Sequence, residues 1–172
     1  HGLDLAGDRV QRDEGALRVI RDGRLLKQAV LGIPDTYTQV NRAGLMDIAI
    51  HPKDDSLVYL TYSKPVELDP SEEVPKWSYD GQRGSIVALA RGRLDAGVLT
   101  EVRDIFVADR LDLGVSASRI VFGPDGKLYM TVGGAIRSTS TGQYAQDPLT
   151  HYGKVLRLND DGTAPDDNPF SG

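Results

Sequence analysis

Residues Gly153–Phe170 read GKVLRLNDDGTAPDDNPF, and this stretch decides the class of fold. Val155, Leu156 and Leu158 are strand formers, and Asp161-Gly162 supplies the residue pair that tolerates positive φ in a sharp turn. The exit is rich in Pro and Asp. On turn chemistry alone the segment is a hairpin: a strand, an Asp-Gly turn and a way out.

The same grammar recurs along the chain. Short apolar runs punctuated by Gly, Pro and Asp predict strands at 17–20, 25–31, 46–50, 57–62, 85–90, 102–107, 119–122, 128–132 and 154–158. No window sustains a 3.6-residue period over the roughly ten residues a helix needs. Many short strands separated by turn signals define an all-β fold. A weak internal repeat sharpens that expectation. DIAIHPKDDSLVYLTYS (47–63) and RIVFGPDGKLYMTVG (119–133) share an apolar strand, a Pro-containing acidic turn and a second strand carrying Tyr59 or Tyr129. Pro52 and Pro124 lie 72 residues apart, a spacing that suits a unit of about four strands, as in a propeller blade.

Between the two copies, residues 64–83 are polar, rich in Pro, Glu and Asp, and hold the single tryptophan, Trp77. Without strand patterning, that length predicts a long surface loop, with Trp77 anchoring it on the rim or offering a stacking platform for a sugar.

Composition narrows the function. With 40% hydrophobic residues the 172-residue chain can form a core, and it is expected to be one domain. A net charge of −5 argues against nucleic-acid binding, which needs a basic patch to neutralise phosphates. There is no cysteine, hence neither a disulfide nor a thiolate site. No apolar run approaches the roughly 18 residues of a membrane span, and no signal peptide is visible. Starting at His1 and stopping at Gly172 in a polar stretch, the sequence is expected to be a processed or excised piece of something longer.

Three further segments, LRVIRDGRLL (17–26), AGLMDIAIHP (43–52) and SRIVFGPDGKLYMTVGG (118–134), join the opening string in the right order. Together they resemble the soluble sugar dehydrogenases that use pyrroloquinoline quinone (PQQ), the glucose/sorbosone dehydrogenase family. The resemblance implies a six-bladed β-propeller, of which residues 1–172 are the first two to three blades. It implies oxidation of aldoses by hydride transfer to PQQ, calcium in the complete protein, and a periplasmic or secreted location. An open partial propeller is expected to self-associate to cover its edges. The alternatives to an enzyme are an inactive propeller of the same lineage that binds a sugar or protein, and a generic repeat propeller.

The chemistry of the family needs a general base at the sugar hydroxyl, for which histidine suits best. The family's histidine falls a few residues before an Arg-Ile/Leu-Val-Phe strand. In GVSASRIVF (114–122), Ser118 and Arg119 match that pattern, but Val115 holds the histidine's place. Valine takes no proton, so no catalytic residue is assigned. Asp112 is the nearest acidic group, read as a solvated loop carboxylate. Arg42 stands where the family has a glutamine that contacts the quinone. It could pair with a cofactor carboxylate or face solvent. Gly133-Gly134 stands where the family often has Gly-Asp. His51 and His151 are read as structural, and His1 is uninformative. No metal ligand is assigned: Asn159, Asp161 and Thr163 lack the register and the twelfth-position glutamate of a calcium loop.

Overall fold

The computed structural model describes residues 9–13, 16–38, 44–67, 83–109, 117–133 and 141–170. Strands dominate. β1 (Arg9–Asp13), β2 (Ala16–Arg21) and β3 (Arg24–Ala29) form a first sheet. β4 (Leu45–His51), β5 (Asp54–Glu67), β6 (Arg83–Asp95) and β7 (Val98–Val107) form a central one. β8 (Ile120–Phe122), β9 (Leu128–Val132) and β10 (Lys154–Leu158) form a third, preceded by a short helix α1 (Thr141–Gln146). Every named strand pair is antiparallel, and each sheet is laid down in chain order. All nine expected strands are present. β1 was not foreseen: RVQRD carries a single strong strand former.

The central sheet is buried on both faces. Val58, Leu60, Tyr62, Ala88 and Ala90 pack with Leu17 and Val19 of the first sheet and with Val30 just after β3. Their odd-numbered neighbours Tyr59, Val87 and Leu89 pack with Ile120, Leu128, Met130 and Leu158 of the third. Successive side chains on a strand point to opposite faces, so a strand between two sheets must be apolar at consecutive positions. That is why 57–62 reads LVYLTY without polar alternation. The repeat in the sequence is the first hairpin of the central sheet (β4–β5) and of the third (β8–β9).

Both ends of the predicted 64–83 loop are strand, and 68–82 lie outside the described residues. Lys64–Glu67 continue β5 and pair with 83–86 of β6, because Val66 and Ile86 prolong the apolar pattern past the polar Lys64-Pro65. Trp77 lies outside the described residues.

The opening string also needs correction. Its turn is as expected, with Gly162 N–H donating to Asn159 O at 3.0 Å and Asn159 N–H to Thr163 O at 2.8 Å. The return is not a strand, however, and β10 remains the edge of its sheet. Pro165 has no N–H for a ladder. The exit instead docks through side chains, Asn168 Nδ2 donating to Arg157 O at 3.0 Å and Arg157 Nη1 to Asp167 Oδ1 at 2.7 Å. Gly162 has a second role. At φ +90°, a Cβ there would come within 2.0 Å of Ile105 O on β7, so the turn sits directly on the central sheet.

Candidate functional site

The two ends of the sheets differ. At one end, tight connections join β4 to β5, β6 to β7 and β8 to β9. At the other lie the starts of β4, β6, β8 and β10 and the ends of β5, β7 and β9, joined by the long connections. Binding and catalytic groups concentrate on such loops carried by a rigid scaffold.

β4 and β8 are the first strands of their sheets and lie alongside each other, running the same way. Near their starts, Ile120 N–H donates to Asp47 Oδ2 at 3.0 Å. Near their finish, the rings of His51 and Phe122 meet edge to face at 5.4 Å. Gly44 and Ala117, the first described residues ahead of them, therefore stand at the long-connection end. Gly44 N–H is held by Ser63 Oγ at 3.2 Å, and Ala117 pairs with Gly133 through two backbone bonds of 3.1 and 2.8 Å. In sequence, Arg42 lies two residues before Gly44 and Val115 two before Ala117. Both, with Asp112, Gly134 and His1, fall outside the described residues.

Asp47 is the functional-end residue that sequence reading passed over. Its carboxylate stands within the apolar run of β4, is 19% exposed, and has Arg119 Nη1 3.7 Å from its other oxygen. The signal was present: a carboxylate inside a strand otherwise made of Leu, Met, Ile and Ala must have partners. A register shift between Leu45 and Asp47 inserts an extra residue in β4, so Leu45 and Ile48 both face the first sheet while Asp47 reaches the third. Thr61 Oγ1 on the paired strand and Ser118 Oγ beside Arg119 are buried and have no hydrogen-bond partner among the described residues.

The two described histidines sit elsewhere. His51 lies at the tight-turn end, in a cluster with Tyr59 and Phe122, and its Nε2 is 3.8 Å from Asp160 Oδ2. Tyr59 donates to Asp160 O at 3.1 Å, and burial pushes its phenol pKa up. His151 is at the long-connection end, in the bend before β10 and beside β7. Its N–H donates to Asp109 Oδ1 at 2.9 Å, its Nδ1 lies 3.3 Å from the same atom, and its ring meets Phe106 at 4.9 Å. Both histidines join neighbouring sheets. Asn159, Asp161 and Thr163 bind one another: Asp161 Oδ1 accepts from Thr163 N–H at 2.9 Å and from Thr163 Oγ1 at 2.6 Å. Among the described residues there is no cluster of three or more His, Asp or Glu able to hold a metal, and no helix long and apolar enough to cross a membrane.

Three sheets in chain order, with the starts of β4 and β8 brought to one loop-bearing end, define a β-sheet scaffold built to present residues there. Residues 9–172 match the family model for glucose/sorbosone dehydrogenase. The chain belongs to that family. It is 31% identical over 160 residues to aldose sugar dehydrogenase YliI of Escherichia coli, an alignment covering 91% of this chain and 38% of that protein. The crystal structure of the soluble E. coli aldose sugar dehydrogenase in its apo form superposes with a TM-score of 0.73 at 29% identity, over 98% of this chain and 45% of the other. The PQQ-bound aldose sugar dehydrogenase of Streptomyces coelicolor gives 0.69 at 26% identity, over 98% and 46%. The chain thus spans less than half the length of each of these relatives.

Proposed function

We propose that this chain forms the N-terminal blades of a six-bladed propeller that oxidises aldoses, with PQQ as the acceptor and calcium in the complete protein. The observation that carries this reading is the side-by-side course of β4 and β8. It brings to one end the two strand starts that follow the family's quinone-contacting and base positions, Arg42 and Val115. Bound PQQ supplies a quinone that accepts hydride; the protein's part is to bind, orient and exclude water.

The donor set suits an anionic cofactor in part. PQQ carries carboxylates, and Arg119 offers at this end a guanidinium that is 79% exposed. Lys64 and Lys154 are committed, the first to Asp104 and the second to the carbonyls of Tyr144 and Tyr152. Arg42 is the further candidate for a cofactor carboxylate. Val115 accepts no proton, so the chain contributes scaffold and cofactor contacts rather than the base. The sugar is its small-molecule partner, and a periplasmic or secreted location fits a soluble dehydrogenase of this kind.

The test uses the gene product that contains this chain. Supplied with PQQ and calcium, it is expected to reduce an artificial electron acceptor with glucose or another aldose above a PQQ-free control. The 172-residue chain alone is expected to show negligible turnover. Equal rates with and without PQQ in the gene product would overturn the reading.

A further inference from the structure

We propose that Asp47 is a positioning residue that fixes the start of β8 against β4, and so sets the spacing between the two strand starts of the functional end. The link to catalysis rests on the sugar dehydrogenase reading; the clamp itself does not.

β8 is the edge of its sheet, and Ile120 N–H goes to a carboxylate of the neighbouring sheet rather than into the β8–β9 ladder. A backbone donor at such an edge must find water or a partner. Asp47, 73 residues earlier, provides one at 3.0 Å and places its second oxygen 3.7 Å from Arg119 Nη1. Hydrogen bonds to an ionised acceptor are about twice as strong as neutral ones, and this one is shielded by the packed sheets. The register shift puts Asp47 on the same side of β4 as Met46, facing the third sheet, and Ile48 returns to the first-sheet side. β4 and β8 belong to different sheets with no ladder between them. Contacts of this kind therefore decide their mutual register, and a misplacement of about 1 Å in a catalytic constellation can cost on the order of 10²-fold in rate.

Hydrogen exchange of the gene product, read without cofactor in peptides covering 117–124, tests the clamp. Peptides from 85–92 and 154–158 serve as internal controls. Asp47→Ala is expected to speed exchange in 117–124 by about tenfold or more, the loss expected for one charge-assisted bond, with the controls nearly unmoved. Asp47→Asn keeps an acceptor oxygen and is expected to restore most of the protection. With PQQ present, Asp47→Ala should weaken quinone binding and lower kcat more than it raises KM for the sugar, and Asp47→Asn should recover both. A second measurement needs no variant: in the wild type, NMR should detect a through-hydrogen-bond coupling from the Ile120 amide to the Asp47 carboxylate. Absence of that coupling, unchanged exchange in Asp47→Ala, controls that speed up equally, or failure of Asp47→Asn to rescue would each overturn the proposal. A wild type that binds no PQQ would overturn the enzymatic reading instead, while exchange and the coupling still decide on Asp47.

Discussion

Tyr62 on β5 reaches over β6 to donate its hydroxyl to Asp104 Oδ1 on β7, at 2.6 Å. The intervening residues on that face of β6 are Ala88 and Ala90, cross-strand partners of Tyr62 and Asp104, and only side chains that small leave the path open. Lys64 Nζ takes the other oxygen of the same carboxylate, also at 2.6 Å. Three strands are thereby tied across the face that packs on the first sheet.

Tyr62→Phe removes the donor but leaves Asp104 its lysine, so the expected loss is about 1–3 kcal/mol, read from urea unfolding midpoints. The same residue shapes the alkaline limb. Burial, then the Asp104 bond, pushes the phenol pKa up in the folded protein, and burial pushes Tyr59 up as well. Their contribution is whole below the unfolded tyrosine value of about 10 and is lost as pH rises through and beyond it. Stability should fall as pH rises from about 10 upward, and less steeply in Tyr62→Phe.

At the acid end four carboxyls near the surface have lowered pKa values. Asp54 is lowered chiefly by the Ser56 hydroxyl and then by Arg93, Asp125 by the Lys127 N–H and then by Arg157, Asp161 by the Thr163 hydroxyl, and Asp167 by Arg157. A depressed folded pKa gives stability that is present above the unfolded value of about 3.9 and lost as pH falls through the folded one. Thermal scans should show Tm falling below about pH 4, with a shallower fall in Asp167→Asn. The effect should shrink in high salt, since these groups face solvent.

The strands were legible in the sequence because period-2 patterning and Gly-Asp-Pro turns are local properties. The continuous apolar run 57–62 even marked the strand buried on both faces. What escaped is non-local. Nothing local in AGLMDIAIHP shows where Asp47 points, because its partner is a backbone N–H 73 residues away. Tyr62 and Asp104 have no sequence signal linking them. β1 lacked apolar content, and the hairpin expected at 153–170 failed because Pro165 interrupts the ladder. The family positions Arg42 and Val115 came from resemblance alone.

The outward face of the third sheet carries Val121 and Val155, 61% and 69% exposed, opposite Tyr129 and Thr131. β-branched residues on an uncovered sheet face favour association. The isolated chain is therefore expected to self-associate at micromolar concentration. Val121→Lys together with Val155→Lys should shift it toward monomer in sedimentation velocity, with the far-UV β signal retained. A wild-type chain that stays monomeric at that concentration would contradict this.

The last prediction concerns position 115. A positioned base is worth roughly 10²–10⁴-fold in rate, and valine provides none. In the gene product, Val115→His is expected to raise PQQ-dependent aldose oxidation and to introduce a rising limb in the pH–rate profile near the imidazole value of about 6.5. The direction follows from the chemistry: the neutral ring accepts the hydroxyl proton, so activity grows as the ring loses its own. In the isolated 172-residue chain the same substitution should gain nothing, because a base accelerates transfer only where quinone and sugar are both held. A gain in the isolated chain would show that these residues hold both by themselves. A flat profile in the gene product would show that position 115 does not reach the sugar hydroxyl.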